Sequence, residues 1–191
     1  MATVLQEHIS RFIKIREQEH EQILRYFTSQ TFSKKQNLHE EGKICKSNYF
    51  VERGCLRLFF INEKGVEQTV QFALENWWLS DYTSFSTHEP SGFYIQAVEK
   101  SEVLSLDYQS QERLLADFPV MERYFRLIHQ RVHAASQYRL KALFSQTREE
   151  IYRQFVSDYP EFIQRIPQYL LASFLGFTPE YLSELRTKRL S

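Results

Sequence analysis

The chain has 191 residues, with 24 basic and 24 acidic side chains, 42% hydrophobic residues and two cysteines. A chain of this size can bury a core without disulfides, and zero formal charge excludes a protein that coats nucleic acid by bulk electrostatics. The balance is uneven, with 16 basic against 18 acidic side chains in residues 1–136 and 8 against 6 in residues 137–191, so the tail is mildly basic.

Residues 3–28 place Leu5, Ile9, Phe12 and Ile13 on one helical stripe and Ile23, Leu24 and Phe27 on another. That pattern predicts two short amphipathic helices divided near Arg16. The charged start is no signal peptide and no apolar run is long enough to cross a bilayer, which predicts a cytoplasmic protein without a membrane partner.

From Thr31 to Asp107 the pattern changes to short β-rich runs. Tyr49-Phe50-Val51, Leu56 to Ile61, Gln68 to Phe72, Tyr94 to Val98 and Val103 to Leu106 read as strands. Gly42, Gly54 and Gly65 stand where hairpins need a positive backbone angle, and Glu99-Lys100-Ser101 divides the last two runs. Many short strands with regular turns predict a barrel or double-sheet roll.

After Asp107 the pattern is helical. Met121, Phe125, Ile128, Val132 and Ala135 follow steps of four and three, the seam of a coiled coil, which predicts a long helix over 119–144 that pairs with a second copy. Docking on its own β-roll is the alternative, and Tyr124 and Leu127 fit a helix that does some of both. A further helix from Thr147 to Tyr159 stops before Pro160, placing a hinge near Ser145.

Residues 166–191 read as helix, tight turn and helix. Pro167 suits a first helical turn, and Tyr169, Leu170, Leu171, Phe174 and Leu175 follow at core spacing. Gly176 is a stop signal, because glycine takes the left-handed backbone of a helix end without penalty. Thr178 caps the next helix and Pro179 opens it. With Leu182 and Leu185 as anchors, Thr178, Glu180, Tyr181, Ser183, Glu184 and Arg186 face outward, and Lys188 and Arg189 extend the positive end. Such a surface can meet base edges and phosphates; an ordinary helical hairpin capping a core is the alternative. The whole predicts an α+β chain: N-terminal helices and a double-stranded β-helix (jelly-roll) sensor domain over 1–118, a dimerisation helix over 119–144, and a small all-α helix-turn-helix domain over 145–191.

Catalytic and metal signatures do not emerge. Cys45 and Cys55 are too few for an iron–sulfur site and lack zinc spacing, so both are expected to be buried thiols. His129 and His133 share a helical face without a third ligand nearby, and there is no G-x-S-x-G elbow, phosphate-cradling glycine loop or H-E-x-x-H. The chain is read as neither an enzyme nor a metalloprotein.

This order of parts resembles the Crp/Fnr family of bacterial transcription regulators. The residues that carry the resemblance are Leu38 to Gly42, Tyr49-Phe50-Val51 with Gly54 and Arg57, the Asn62 to Gly65 hairpin, Arg139 and Leu143, and Ala172 to Leu185. The terminal Leu175-Gly176-Phe177-Thr178-Pro179-Glu180-Tyr181-Leu182-Ser183 is similar to that of a short branch found in Bacteroidetes-type bacteria. Longer members carry a β-hairpin wing after the recognition helix; without it, affinity is expected to lean more on the dimer. The resemblance implies a homodimer on a palindromic double-stranded DNA operator, with RNA polymerase as a further candidate partner.

The resemblance also implies a cyclic-nucleotide pocket, and there this sequence departs from the pattern. Ser80-Asp81 stands where the family's glycine–glutamate pair would be, Ser91 to Tyr94 where the phosphate-binding arginine would be, and no Arg or Lys occurs between Lys64 and Lys100. A phosphodiester buried without a cation or several N–H donors loses its hydration with little return, which argues against cyclic AMP, and no cofactor is identified. Trp78, Tyr82, Phe85, Phe93 and Tyr94, with Asp81 and His88, form a candidate pocket for an unknown small-molecule effector; a filled core without ligand is the alternative. Two readings follow: a dimeric, sequence-specific transcription regulator, and a ligand-binding or protein-interaction module whose helical tail does not bind DNA.

Overall fold

The computed structural model describes residues 4–190, with the side chains of 188–190 outside the description. Two short helices open it, α1 (Val4–Ser10) and α2 (Glu17–Leu24). Strands β1 (Thr28–Phe32), β2 (Asn37–His39), β3 (Ser47–Arg53), β4 (Leu56–Ile61), β5 (Glu67–Ala73) and β6 (Trp78–Leu79) lead to helix α3 (Tyr82–Thr87). Then come β7 (Tyr94–Ala97), β8 (Ser101–Asp107), α4 (Tyr108–Asp117) and the long α5 (Val120–Ser145). Four helices finish the chain: α6 (Arg148–Asp158), α7 (Pro160–Arg165), α8 (Gln168–Leu175) and α9 (Pro179–Leu190).

The strands form two four-stranded sheets, ordered β1-β8-β3-β6 and β2-β7-β4-β5. The pairings of β8 with β1 and β3, and of β7 with β2 and β4, are antiparallel. Side chains alternate between the faces of a strand, and β3 shows what that does here. Tyr49 and Val51 enter the roll interior with Leu56, Leu58, Ile95 and Val103. Phe50 points the other way, into a second cluster with Leu5, Ile9, Ile23, Leu114, Met121, Tyr124, Phe125 and Ile128. One sheet is therefore covered on its outer face by helices, which is why β3 and β8 are buried on both faces over most of their length.

The chain divides into two compact units. One joins the chain up to Phe60 with Val70–Gln130, and the other joins Ile61–Thr69 with the chain from Arg131 onward. The division falls inside α5.

In the first unit, α5 contributes Met121, Phe125 and Ile128 to the core of its own chain, whereas Val132 and Ala135 are exposed. The first three positions of the expected seam are thus covered within one chain, and its exposed remainder begins at Val132. The buried Tyr124 hydroxyl fixes this half of the helix: it accepts from Trp78 Nε1 at 2.8 Å and lies 2.8 Å from His8 Nδ1.

Elements that sequence periodicity did not indicate have local explanations. The chain turns to β structure at Thr28 rather than Thr31; β1 is an edge strand, exposed along most of its length, so it carries no apolar alternation. β2 and β6 are three and two residues long, too short for a pattern. Pro160 opens α7 directly after α6 ends. Phe12 and Ile13 lie beyond the end of α1 in a turn held by Ile13 N–H donating to Ile9 O at 3.1 Å.

Candidate functional site

The candidate nucleic-acid interface is built from α8, a three-residue turn and α9. Leu170, Leu171, Ala172 and Leu175 of α8 are buried together with Phe177, Leu182 and Leu185. Gly176 closes α8 at φ +75°, its N–H directed to the carbonyls of Ala172 and Ser173, and Phe177 N–H reaches Ala172 O at 2.8 Å. This is a Schellman-type ending that satisfies the last carbonyls of the helix. Pro167 stands one position before α8, in extended backbone, and its carbonyl accepts from Leu171. Thr178 Oγ1 accepts from Tyr181 N–H at 3.3 Å, the N-cap of α9.

With Leu182 and Leu185 turned inward, Thr178, Glu180, Ser183 and Glu184 are exposed, while Tyr181 and Arg186 are half-buried. Tyr181 packs edge-on against Phe177, with ring centroids 5.5 Å apart, and the Arg148 guanidinium lies over the Tyr181 ring, 5.7 Å from its centroid. Arg148 brings a cation from the start of α6 to the α9 surface, a placement no local sequence signal announces. The expected side chains of Lys188 and Arg189 lie outside the described residues.

A second unanticipated feature supports α8. Ser173 Oγ accepts from Thr69 N–H at 2.8 Å and donates to Glu67 O at 2.8 Å, and the Gln68 side chain donates to Ser173 O. Arg139 of α5 donates to Phe174 O at 2.7 Å and lies 4.0 Å over the Phe174 ring, and burial holds this guanidinium below its ordinary pKa.

The candidate pocket residues of the first unit are placed as follows. Asp81 is buried, and its carboxylate caps α3 by accepting from Thr83 N–H and Ser84 N–H at 3.2 and 3.3 Å. Its other oxygen accepts from the Ser91 hydroxyl at 2.6 Å. Tyr82 packs 4.4 Å from the His129 ring, Phe85 and His88 lie 5.7 and 4.4 Å from Tyr108, and Trp78 is tied to Tyr124. Phe93 meets Phe60, and Tyr94 stacks on Phe59 at 5.0 Å. Desolvation raises the Tyr82 phenol and lowers His129. His39 is buried, and burial holds it below its usual value against the opposing charges of Asp81 and Glu40.

Cys45 and Cys55 are buried thiols. Among the described residues no cluster of three or more His, Cys, Asp or Glu side chains could hold a metal ion, and no helix is long and apolar enough to cross a membrane.

The first unit is an antiparallel roll flanked by helices, and the second carries a helix-turn-helix in α8 and α9. Residues 29–118 match the family model of the cyclic nucleotide-binding domain. FixK2 from Bradyrhizobium japonicum has a similar structure, with 15% identity and a TM-score of 0.72 over 85% of this chain and 83% of that one. The c-di-GMP-responsive global regulator CLP of Xanthomonas campestris is similar at 12% identity and a TM-score of 0.72, over 89% of each chain. A CooA variant from Carboxydothermus hydrogenoformans is similar at 17% identity and a TM-score of 0.69, over 87% of this chain and 78% of that one. No curated protein matches the chain by sequence. The chain therefore shares its fold with these three structures, and the part that matches the cyclic nucleotide-binding domain model is the β-roll with its flanking helix α4.

Proposed function

We propose that the protein is a homodimeric, sequence-specific DNA-binding regulator of transcription that does not respond to cyclic AMP. The observation that carries this reading is the α8–Gly176–α9 unit, in which one face of α9 is anchored by Leu182 and Leu185 and the other presents Thr178, Glu180, Ser183 and Glu184 to solvent. Thr178, Tyr181 and Ser183 contact phosphates or base edges, Glu180 accepts from the amino group of cytosine or adenine, and Arg186, Lys188 and Arg189 hold the backbone.

Dimerisation is supported by the second half of α5, where Val132, Leu140, Leu143 and Phe144 are exposed to 40, 55, 49 and 84%. A run of large apolar side chains at this level of exposure is the expected signature of a surface covered in the assembly. Independence from cyclic AMP is supported by Asp81, whose carboxylate already takes the N–H groups of α3 and the Ser91 hydroxyl. A phosphate brought there would meet a like charge.

The test is selection of bound sequences from a random double-stranded DNA pool by the purified protein at near-physiological salt, with and without cyclic AMP. The expected result is an enriched two-fold palindrome, with half-sites about one helical turn (~34 Å) apart and no dependence on the nucleotide. Absence of enrichment in both arms overturns DNA reading by this unit.

A further inference from the structure

The first unit has an open cavity lined by none of the pocket residues considered above. It is an open groove of about 700 Å³ between α2 and the end of α4, lined by Arg16, Gln22, Arg25, Tyr26, Arg113 and Phe118, with Glu19 and Asp117. Its volume is in the range of small-molecule sites, about 300–1,000 Å³.

The charges in this groove are unequally committed. Arg16 caps α2 by pairing with Glu19, Nη2 to Oε1 at 2.5 Å, while its own N–H donates to Glu19 Oε2 at 3.0 Å. Asp117 accepts from the Tyr26 hydroxyl. Asp107, which also faces Arg113, accepts from the N–H and hydroxyl of Ser110 at 2.9 and 2.7 Å. The carboxylates therefore already hold donors, whereas Arg25 and Arg113 form no salt bridge among the described residues. Arg113 makes one long bond to Ser110 Oγ at 3.3 Å. Beside them, Tyr26 and Phe118 form an edge-to-face pair with centroids 6.2 Å apart and are only half-buried.

Two guanidinium groups outside any salt bridge, beside a partly open aromatic pair, match one kind of chemistry. A guanidinium presents parallel N–H donors that fit a carboxylate or phosphate, and the half-exposed rings offer apolar surface to the body that carries it. We propose that this groove binds a small organic anion, its acidic group held by Arg25 and Arg113 and its ring against Tyr26 and Phe118. The groove is built entirely from residues of the first unit, and its test uses no DNA.

Phenyl phosphate and benzoate are titrated separately into the full-length protein, following the arginine side-chain N–H signals by NMR. Saturable shifts with either probe are expected: phenyl phosphate alone identifies a phosphate site, benzoate alone a carboxylate site, and both a general anion site. Combining Arg25→Gln with Arg113→Gln is expected to weaken binding about tenfold or more, while Arg126→Gln, which removes a cation that does not line the groove, leaves it unchanged. Thermal melting verifies that the variants fold. Should the double variant fail to fold, Arg113→Lys keeps the charge and removes the fork, and weaker binding is again expected. No saturation with either probe, or equal binding by the folded variants and the unaltered protein, overturns the proposal.

Discussion

The hydroxyl of Ser173 accepts the backbone N–H of Thr69 at 2.8 Å while donating to a carbonyl two residues earlier, at Glu67. One side chain on α8 thus serves both hydrogen-bonding groups on the edge of a strand. Ser173→Ala would leave the Thr69 N–H without its partner, at a cost of about 1–3 kcal/mol. The expected outcome is faster amide exchange at Thr69 and a lower melting temperature. Unchanged exchange at Thr69 would show that water replaces the hydroxyl without loss.

Two glycines with positive φ should respond differently to alanine. At Gly54, φ is +103° and a Cβ would stand 2.5 Å from Ser101 Oγ and 2.7 Å from Lys100 O. At Gly176, φ is +75° and a Cβ meets nothing within 4 Å. Gly176→Ala should cost about 1–2 kcal/mol from backbone strain alone. Gly54→Ala adds a backbone collision and should cost distinctly more. Chemical denaturation of both variants measures the difference, and equal costs would contradict this account.

Tyr124→Phe removes a hydroxyl that serves Trp78 and His8 at once. Both remain buried after the change, so the expected loss is about 1–3 kcal/mol. Burial holds the Tyr124 phenol well above its ordinary pKa, so the hydroxyl stays protonated at neutral pH. Urea unfolding followed by tryptophan fluorescence reads the loss.

Much of this architecture was legible in advance because it rests on periodicity and on glycine. β4 spans the expected Leu56–Ile61, α5 falls within a residue of its expected ends, and Leu182 and Leu185 are buried as the α9 anchors. What was not legible depends on pairing distant in sequence. The β1 sequence is mostly exposed and gains its strand form from β8. Phe125 and Ile128 fit a coiled-coil seam equally well whether the partner is another copy or the chain's own sheet; only the fold selects the latter. Arg148 reaches Tyr181 across a gap that no local pattern encodes.

The proposed DNA-binding role of α9 separates two classes of substitution. Arg186→Gln should weaken binding to all DNA sequences to a similar degree and reduce the salt slope by about one, since Arg186 is assigned to phosphates in that proposal. Glu180→Ala should change the preferred sequence, because its carboxylate is assigned to a base amino group. Binding isotherms on selected and scrambled duplexes at several salt concentrations distinguish the two, and a uniform loss from Glu180→Ala would count against its role.

Acid should weaken the first unit through His39, which is buried, and His129, which is half-buried on α5. Desolvation holds His39 and His129 below the usual value of 6.5, so in the folded state both resist protonation that the unfolded chain accepts. Their contribution is present above that value and is lost as pH falls through the lower folded values. Glu40 and Glu150, whose partners depress them below 4.5, act in a more acidic window. His39→Gln is expected to reduce the fall in melting temperature between about pH 7.5 and 5.5. An identical fall in the variant would remove His39 from the explanation.

The second unit is assembled from pieces far apart in the chain, Thr69 and Ser173 being 104 residues distant. During synthesis the hairpin end at Ile61–Thr69 emerges long before α8, and domains generally form as their sequence becomes available. The β-roll can therefore close while the hairpin end still lacks its clasp, and the second unit acquires its last support only when α8 leaves the ribosome. Order of assembly follows order of translation, with the first unit complete before the second.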